Sequence, residues 1–93
     1  MLISHAVRHD VLYVTLHRDL DVTNRAAAAL RIEVLVQAHR PARVVVVVPA
    51  ADPSPATFSA LARAHRMCAG LGVPLTLSGA NDRTRRLLEP DGA

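Results

Sequence analysis

Between residues 11 and 17 the chain alternates: Leu12, Val14 and Leu16 are interleaved with Val11, Tyr13, Thr15 and His17. A period of two predicts a strand with one better-buried face. Residues 2–8 read as a second short strand, and His9-Asp10 between the two is long enough for a tight hairpin, although no Gly supplies the usual turn chemistry. A two-residue loop sets Val7 opposite Leu12 and Ile3 opposite Leu16. The period then changes. Asp21-Val22-Thr23-Asn24 carries short oxygen-bearing side chains that accept hydrogen bonds from a first helical turn, and Arg25 to His39 contains no Gly or Pro. Ala27, Leu30, Val34 and Ala38 recur at helical spacing as its apolar stripe, with Arg25, Glu33 and Gln37 at more polar positions. Pro41 ends the run.

Val44 to Val48 are five β-branched residues without alternation, the pattern of a central strand covered on both faces. After Pro49 and a short loop, Ser54-Pro55 opens a second helix, Ser54 as its cap and Pro55 at the first helical position, where a missing N–H costs nothing. Phe58, Leu61, Ala62, His65, Cys68 and Ala69 trace its apolar stripe, and Gly70 and Gly72 end it. Val73 to Leu77 predicts a fourth strand, with Pro74 favouring a sheet edge. Gly79-Ala80-Asn81-Asp82 starts a short third helix, and residues 90–93 read as a frayed end.

The expected fold class is therefore α/β: a single domain over residues 1–93 in the order β-β-α-β-α-β-α. Right-handed crossovers make the last three strands parallel and bring the helices mainly to one face of a four-stranded mixed sheet. The all-valine strand then needs cover on its other face, from the third helix or from a partner.

Composition narrows the chemistry. Among 93 residues the aromatics are only Tyr13 and Phe58, so base-stacking platforms are missing. All eleven basic residues are Arg, and only Arg83, Arg85 and Arg86 cluster. That scattered footprint argues against direct nucleic-acid binding, and an anionic protein partner is at least as good a counterpart. The single cysteine, Cys68, excludes a disulfide framework and a multi-thiolate zinc site. No stretch reads as a signal peptide or a membrane span, which gives a cytoplasmic expectation without membrane insertion. Phosphate-binding glycine motifs and G-x-S-x-G are absent, and Ser54, Ser59 and Ser78 have no recognisable His and carboxylate companions. His5, His9, His17 and His39 read as solvated or helix-end imidazoles, His65 and Cys68 as members of the apolar stripe. No enzyme, cofactor or metal site is expected.

Four stretches together resemble the STAS domain, the module of anti-sigma factor antagonists, over about Val11 to Glu89. Arg18-Asp19-Leu20-Asp21 stands where that family has a Gly-x-Leu-Asp turn. The Ala-rich helix leads through Pro41-Ala42-Arg43 into the hydrophobic strand. Ala60 to Gly72 is similar to the family's helix after its phosphorylated loop. Ser78-Gly79-Ala80-Asn81 and Arg85-Arg86-Leu87-Leu88-Glu89 resemble its closing segment. The resemblance implies a non-enzymatic regulatory protein that binds an anti-sigma factor of the serine-kinase type through the start of the second helix.

The departures bear on the switch. The family carries Asp-Ser-Ser/Thr-Gly there, and its first Ser is phosphorylated by the partner. Counting back from Gly72 puts Ser54, Pro55, Ala56 and Thr57 on those positions; anchoring on Asp52 puts Pro53 on the acceptor instead. Either register replaces the acceptor with proline, Pro55 in the first. Arg18 replaces the first-turn Gly, and Val replaces an acidic residue in the hydrophobic strand. Phosphorylation would add about −1.5 to −2 charge beside the positive end of a helix dipole, and a proline cannot receive it. Substitute acceptors are Ser54, Thr57 and Ser59. The resemblance makes Asp21, Asp52, Ser54, Thr57, Phe58 and Arg63 the partner-binding surface. Other tasks compatible with the same family are a regulatory or scaffold subunit of a transport or signalling complex and a nucleotide- or ligand-sensing module. A homodimer is compatible with each.

Overall fold

A computed structural model of the chain describes residues 2–88. The elements are β1 (Ile3–Arg8), β2 (Val11–Leu16), α1 (Arg25–His39), β3 (Arg43–Val47), α2 (Pro55–Gly70), β4 (Leu75–Ser78) and α3 (Asp82–Leu88), an α/β fold in the order β-β-α-β-α-β-α. The end expected to fray, residues 90–93, lies outside the described residues. One mixed sheet runs β1-β2-β3-β4. The hairpin has the expected register, Val7 opposite Leu12 and Ile3 opposite Leu16. His9 and Asp10 form its turn with φ of 51° and 66°. Two successive left-handed residues give the turn a twist that matches the strands, and Asp and His tolerate that region better than β-branched residues do. β2, β3 and β4 are parallel, as two strand-helix-strand crossovers require, and Pro74 immediately precedes the edge strand β4.

The register lines up Leu12, Val44 and Leu75 in one row and Val14, Val46 and Leu77 in the next. All six are buried, together with Leu61, Ala64 and Cys68 of α2 and Ile32, Leu35 and Val36 of α1. Leu88 of α3 joins the same cluster. All three helices thus feed the core on one side of the sheet. The third helix does not cover the other face of β3, where Val45 and Val47 stay half-buried among their sheet neighbours.

α1 corrects the expected stripe. Its buried residues are Ala28, Ala29, Ile32, Leu35 and Val36, whereas Ala27, Leu30, Val34 and Ala38 are exposed. The reason is the neighbour. Ala28 and Ala29 pack with Ala56 and Ala60 of α2 and with Leu20, and four small side chains at a crossing let two helix backbones approach closely. A Leu30 or Val34 at that contact would hold the helices apart.

Candidate functional site

α2 begins where the sequence predicts. Ser54 has extended backbone, its Oγ accepts from the Thr57 N–H at 3.1 Å, and Pro55 follows as the first helical residue. Pro55 is exposed and Ser54 partly so. The helix start is tied to the loop between β2 and α1 by a compact set of hydrogen bonds. Ser54 Oγ donates to the Leu20 carbonyl at 2.9 Å. Thr57 is fully buried, and its hydroxyl accepts from the Leu20 N–H at 2.7 Å and donates to Asp19 Oδ1 at 2.7 Å. The same carboxylate oxygen accepts from the Ser54 N–H at 3.1 Å. Asp19 therefore spans the helix start, where N–H groups and the helix dipole favour negative charge.

These bonds set the electrostatics. The Thr57 hydroxyl and then the Ser54 N–H, both donating to Asp19, hold its carboxyl below the usual carboxylate range. Asp21, two residues on, works separately. Its Oδ1 accepts from the N–H groups of Thr23 and Asn24 at 2.9 and 3.2 Å and from the Thr23 hydroxyl. Asn24 Oδ1 accepts in return from the Asp21 N–H at 2.8 Å. That reciprocal pair closes the turn that leads into α1, whose N-cap, Asn24, makes no side-chain cap bond of its own, and the hydrogen bonds to Asp21, led by that from the Thr23 hydroxyl, lower its pKa.

A second anchor holds the loop before α2 from the other side. Ala51 O accepts from the Asn81 N–H at 2.9 Å and from the Thr84 hydroxyl at 3.4 Å. Asn81 Oδ1 meanwhile accepts from the Thr84 N–H at 2.8 Å at the start of α3. Gly79, two residues before Asn81, makes a close approach of its own: with φ +91°, an added Cβ there would lie 3.0 Å from the Val48 carbonyl oxygen. Residues 51–54 are fixed at both ends.

The structure gathers the residues singled out by sequence unevenly. Ser54, Pro55 and Thr57 share the α2 start. Asp52 is exposed in the loop just before it. Ser59 and Arg63 are exposed one and two turns beyond Pro55 on the same side of α2, so Arg63 stands about 12 Å along the helix from the corner. Phe58 is half-buried and packs against the main core, which makes it a support for the corner more than a contact surface. Asp21 belongs to the turn that leads into α1. The carboxylate that reaches α2 is Asp19, which sequence reasoning passed over; its only signal was membership of the Arg18-Asp19-Leu20-Asp21 run.

Elsewhere the chemistry is quiet. Burial pushes the Cys68 thiol up to about 11, so it stays protonated and unreactive at neutral pH. Arg85 of the basic cluster pairs with Asp82 at 2.6 Å. A cleft of about 300 Å³ lies at the other ends of α1 and α2, lined by Val36, Gln37, Arg40, Pro41, Leu71 and Val73. Among the described residues no group of three or more His, Cys, Asp or Glu is arranged to hold a metal ion, and no helix is long and apolar enough to cross a membrane. No family model matches the chain, and no curated protein matches it either.

Proposed function

We propose that this chain is a non-enzymatic regulatory module of the STAS type that docks on an anti-sigma factor of the serine-kinase class through the start of α2, without that family's usual phosphorylation switch. The observation that carries this reading is the chemistry of that helix start. Its first residue is an exposed proline, and the two hydroxyls flanking it are already committed: Ser54 to the Thr57 N–H and the Leu20 carbonyl, Thr57 to Leu20 and Asp19. Thr57 is buried as well, so a kinase would have to unfold the first turn to reach it. Phosphorylating Ser54 would remove its bond to the Leu20 carbonyl and set a dianion beside the Asp19 carboxylate. Ser54 and Thr57 are poor acceptors for these structural reasons; Ser59, one turn further along α2, is exposed and is the one substitute hydroxyl open to a kinase. What remains is a rigid corner, Asp52 to Ser59, pinned on one side to the loop between β2 and α1 and on the other to the start of α3.

A docking corner of this kind offers a partner shape and exposed polar groups in place of chemistry. It binds constitutively, and control passes to the partner's abundance or to the partner's own nucleotide state. The test is titration calorimetry of the chain against an anti-sigma-type serine kinase, with and without Mg-ATP. The expected result is binding that survives ATP and is lost in Ser59→Glu, a substitution on the exposed ridge that leaves the core untouched. Absence of binding, or binding indifferent to Ser59→Glu, overturns the reading.

A further inference from the structure

The opposite edge of the sheet carries a second, independent surface. β1 is an edge strand with six consecutive antiparallel pairs to β2 and no bulge in its register. It contains no Pro or Lys, and from His5 onward it is exposed. Natural proteins blunt such edges with short strands, Pro, Lys or bulges. This one is left open.

Which groups are open follows from the ladder. The His17 N–H donates to the Leu2 carbonyl at 3.0 Å, so the backbone groups of Leu2 point toward β2. Direction alternates along an antiparallel strand, so Ser4, Ala6 and Arg8 also bond inward, with Arg8 closing the hairpin opposite Val11. Ile3, His5 and Val7 therefore direct their N–H and C=O groups away from the sheet.

Those three residues are self-complementary. A second copy related by a two-fold axis normal to the sheet pairs His5 with His5 and Ile3 with Val7, and this register satisfies every outward group of all three residues in both copies. Any shift by two residues leaves some unpaired. Arg8 is the one arginine of β1, and the two copies of it would stand about 20 Å apart along the strands, beyond the ~8–10 Å screening length.

α1 supplies the rest. Ala27, Ala28 and Arg31 flank a shallow cleft with Leu2 and Ile3, so that side of the helix overhangs β1. Beside it run the residues that sequence periodicity reads as core and the fold leaves in solvent. Leu30 is 55% exposed, Val34 47%, and Val7 of the strand below 43%. A six-residue ladder alone falls short of the ~800 Å² per partner of a standard interface. An antiparallel contact between two α1 helices over the seam extends it with apolar area, and Ala27 and Ala38 allow the close approach.

We infer that this chain forms a two-fold homodimer by pairing β1 to β1 about His5, giving a continuous eight-stranded sheet with the two α1 helices packed across the seam. The surface does not involve the α2 corner, so each can fail without the other. The test is sedimentation equilibrium over rising concentration, with cysteine cross-linking to fix the register. The expected result is a species of twice the 10.0 kDa chain mass, made monomeric by Val7→Lys and by Val34→Lys with their unfolding transitions retained, and unaffected by Ser59→Glu. Under mild oxidation His5→Cys should give a covalent dimer and Ala6→Cys should not; the Cys68 thiol is buried and does not compete. A chain that stays monomeric at every concentration, a dimer indifferent to both lysine variants, or cross-linking through Ala6→Cys in preference to His5→Cys overturns the inference.

Discussion

Replacing Thr57 by Val tests the hydrogen-bonded corner at its centre. The side chain is fully buried, and Val keeps its shape while deleting the hydroxyl. The bonds to Leu20 and Asp19 go, with the contact from Ser54 Oγ at 3.0 Å, whose hydroxyl keeps the Leu20 carbonyl, and they do not cost the same. The Leu20 N–H, 2.7 Å from the hydroxyl oxygen, loses its acceptor in a buried setting, and an unpaired buried donor costs about 1–3 kcal/mol. Asp19 loses the donor at 2.7 Å, but its carboxylate is largely exposed and water replaces the bond, so this contribution is small. The sum is about 2 kcal/mol, a fall in Tm of roughly 8–16 °C for a domain of this size. Urea unfolding followed by circular dichroism measures it, with m unchanged as the sign that only stability has moved. Thr57→Ser is the companion: it keeps the bonds and removes one buried methyl, at about 1 kcal/mol. A buried Thr that makes no hydrogen bonds gains from conversion to Val. A Thr57→Val protein as stable as wild type, or more so, would refute the network.

The remaining predictions concern pH and backbone. Asp19 is held below the carboxylate range by the Thr57 hydroxyl and the Ser54 N–H, so its contribution to stability is complete above the unfolded value of about 3.9. It is lost as pH falls through the lower folded value. The acid limb of a stability–pH profile should therefore be shallower in Asp19→Asn and in Thr57→Val than in wild type; an unchanged limb in both contradicts the assignment. Gly79→Ala combines a φ of +91° with a Cβ 3.0 Å from the Val48 carbonyl oxygen. It should cost about 1–3 kcal/mol and loosen the Ala51 anchor, seen as faster amide exchange of Asn81; wild-type stability would contradict the close approach.

Much of the frame was legible because local chemistry decided it. Ser54-Pro55 marks a helix start through a cap oxygen and a φ already set, and the start is found there. The hairpin register follows from loop length alone, since two residues between the strands force Val7 opposite Leu12. The face of α1 was not legible. Between Ala26 and Ala38 that helix is apolar on nearly every side, so more than one stripe fits a 3.6-residue period. The choice is made by Ala56 and Ala60 of a helix still to come. Asp19 was hidden for a similar reason. It is one of eight acidic residues, and its meaning comes from a hydroxyl 38 positions away. The third helix as cover for the far sheet face failed on reach: seven residues beginning beside Ala51 pack into the edge of the existing core and extend no further.

The claim that most needs a direct measurement is that this helix start docks although its usual acceptor position, Pro55, cannot be charged. Intact mass spectrometry after incubation with an anti-sigma-type serine kinase and Mg-ATP addresses it, with wild type and Pro55→Ser side by side. The account predicts no mass change for wild type and one added phosphate for Pro55→Ser, which restores an exposed hydroxyl at the first helical position. One phosphate on the wild-type chain would contradict it.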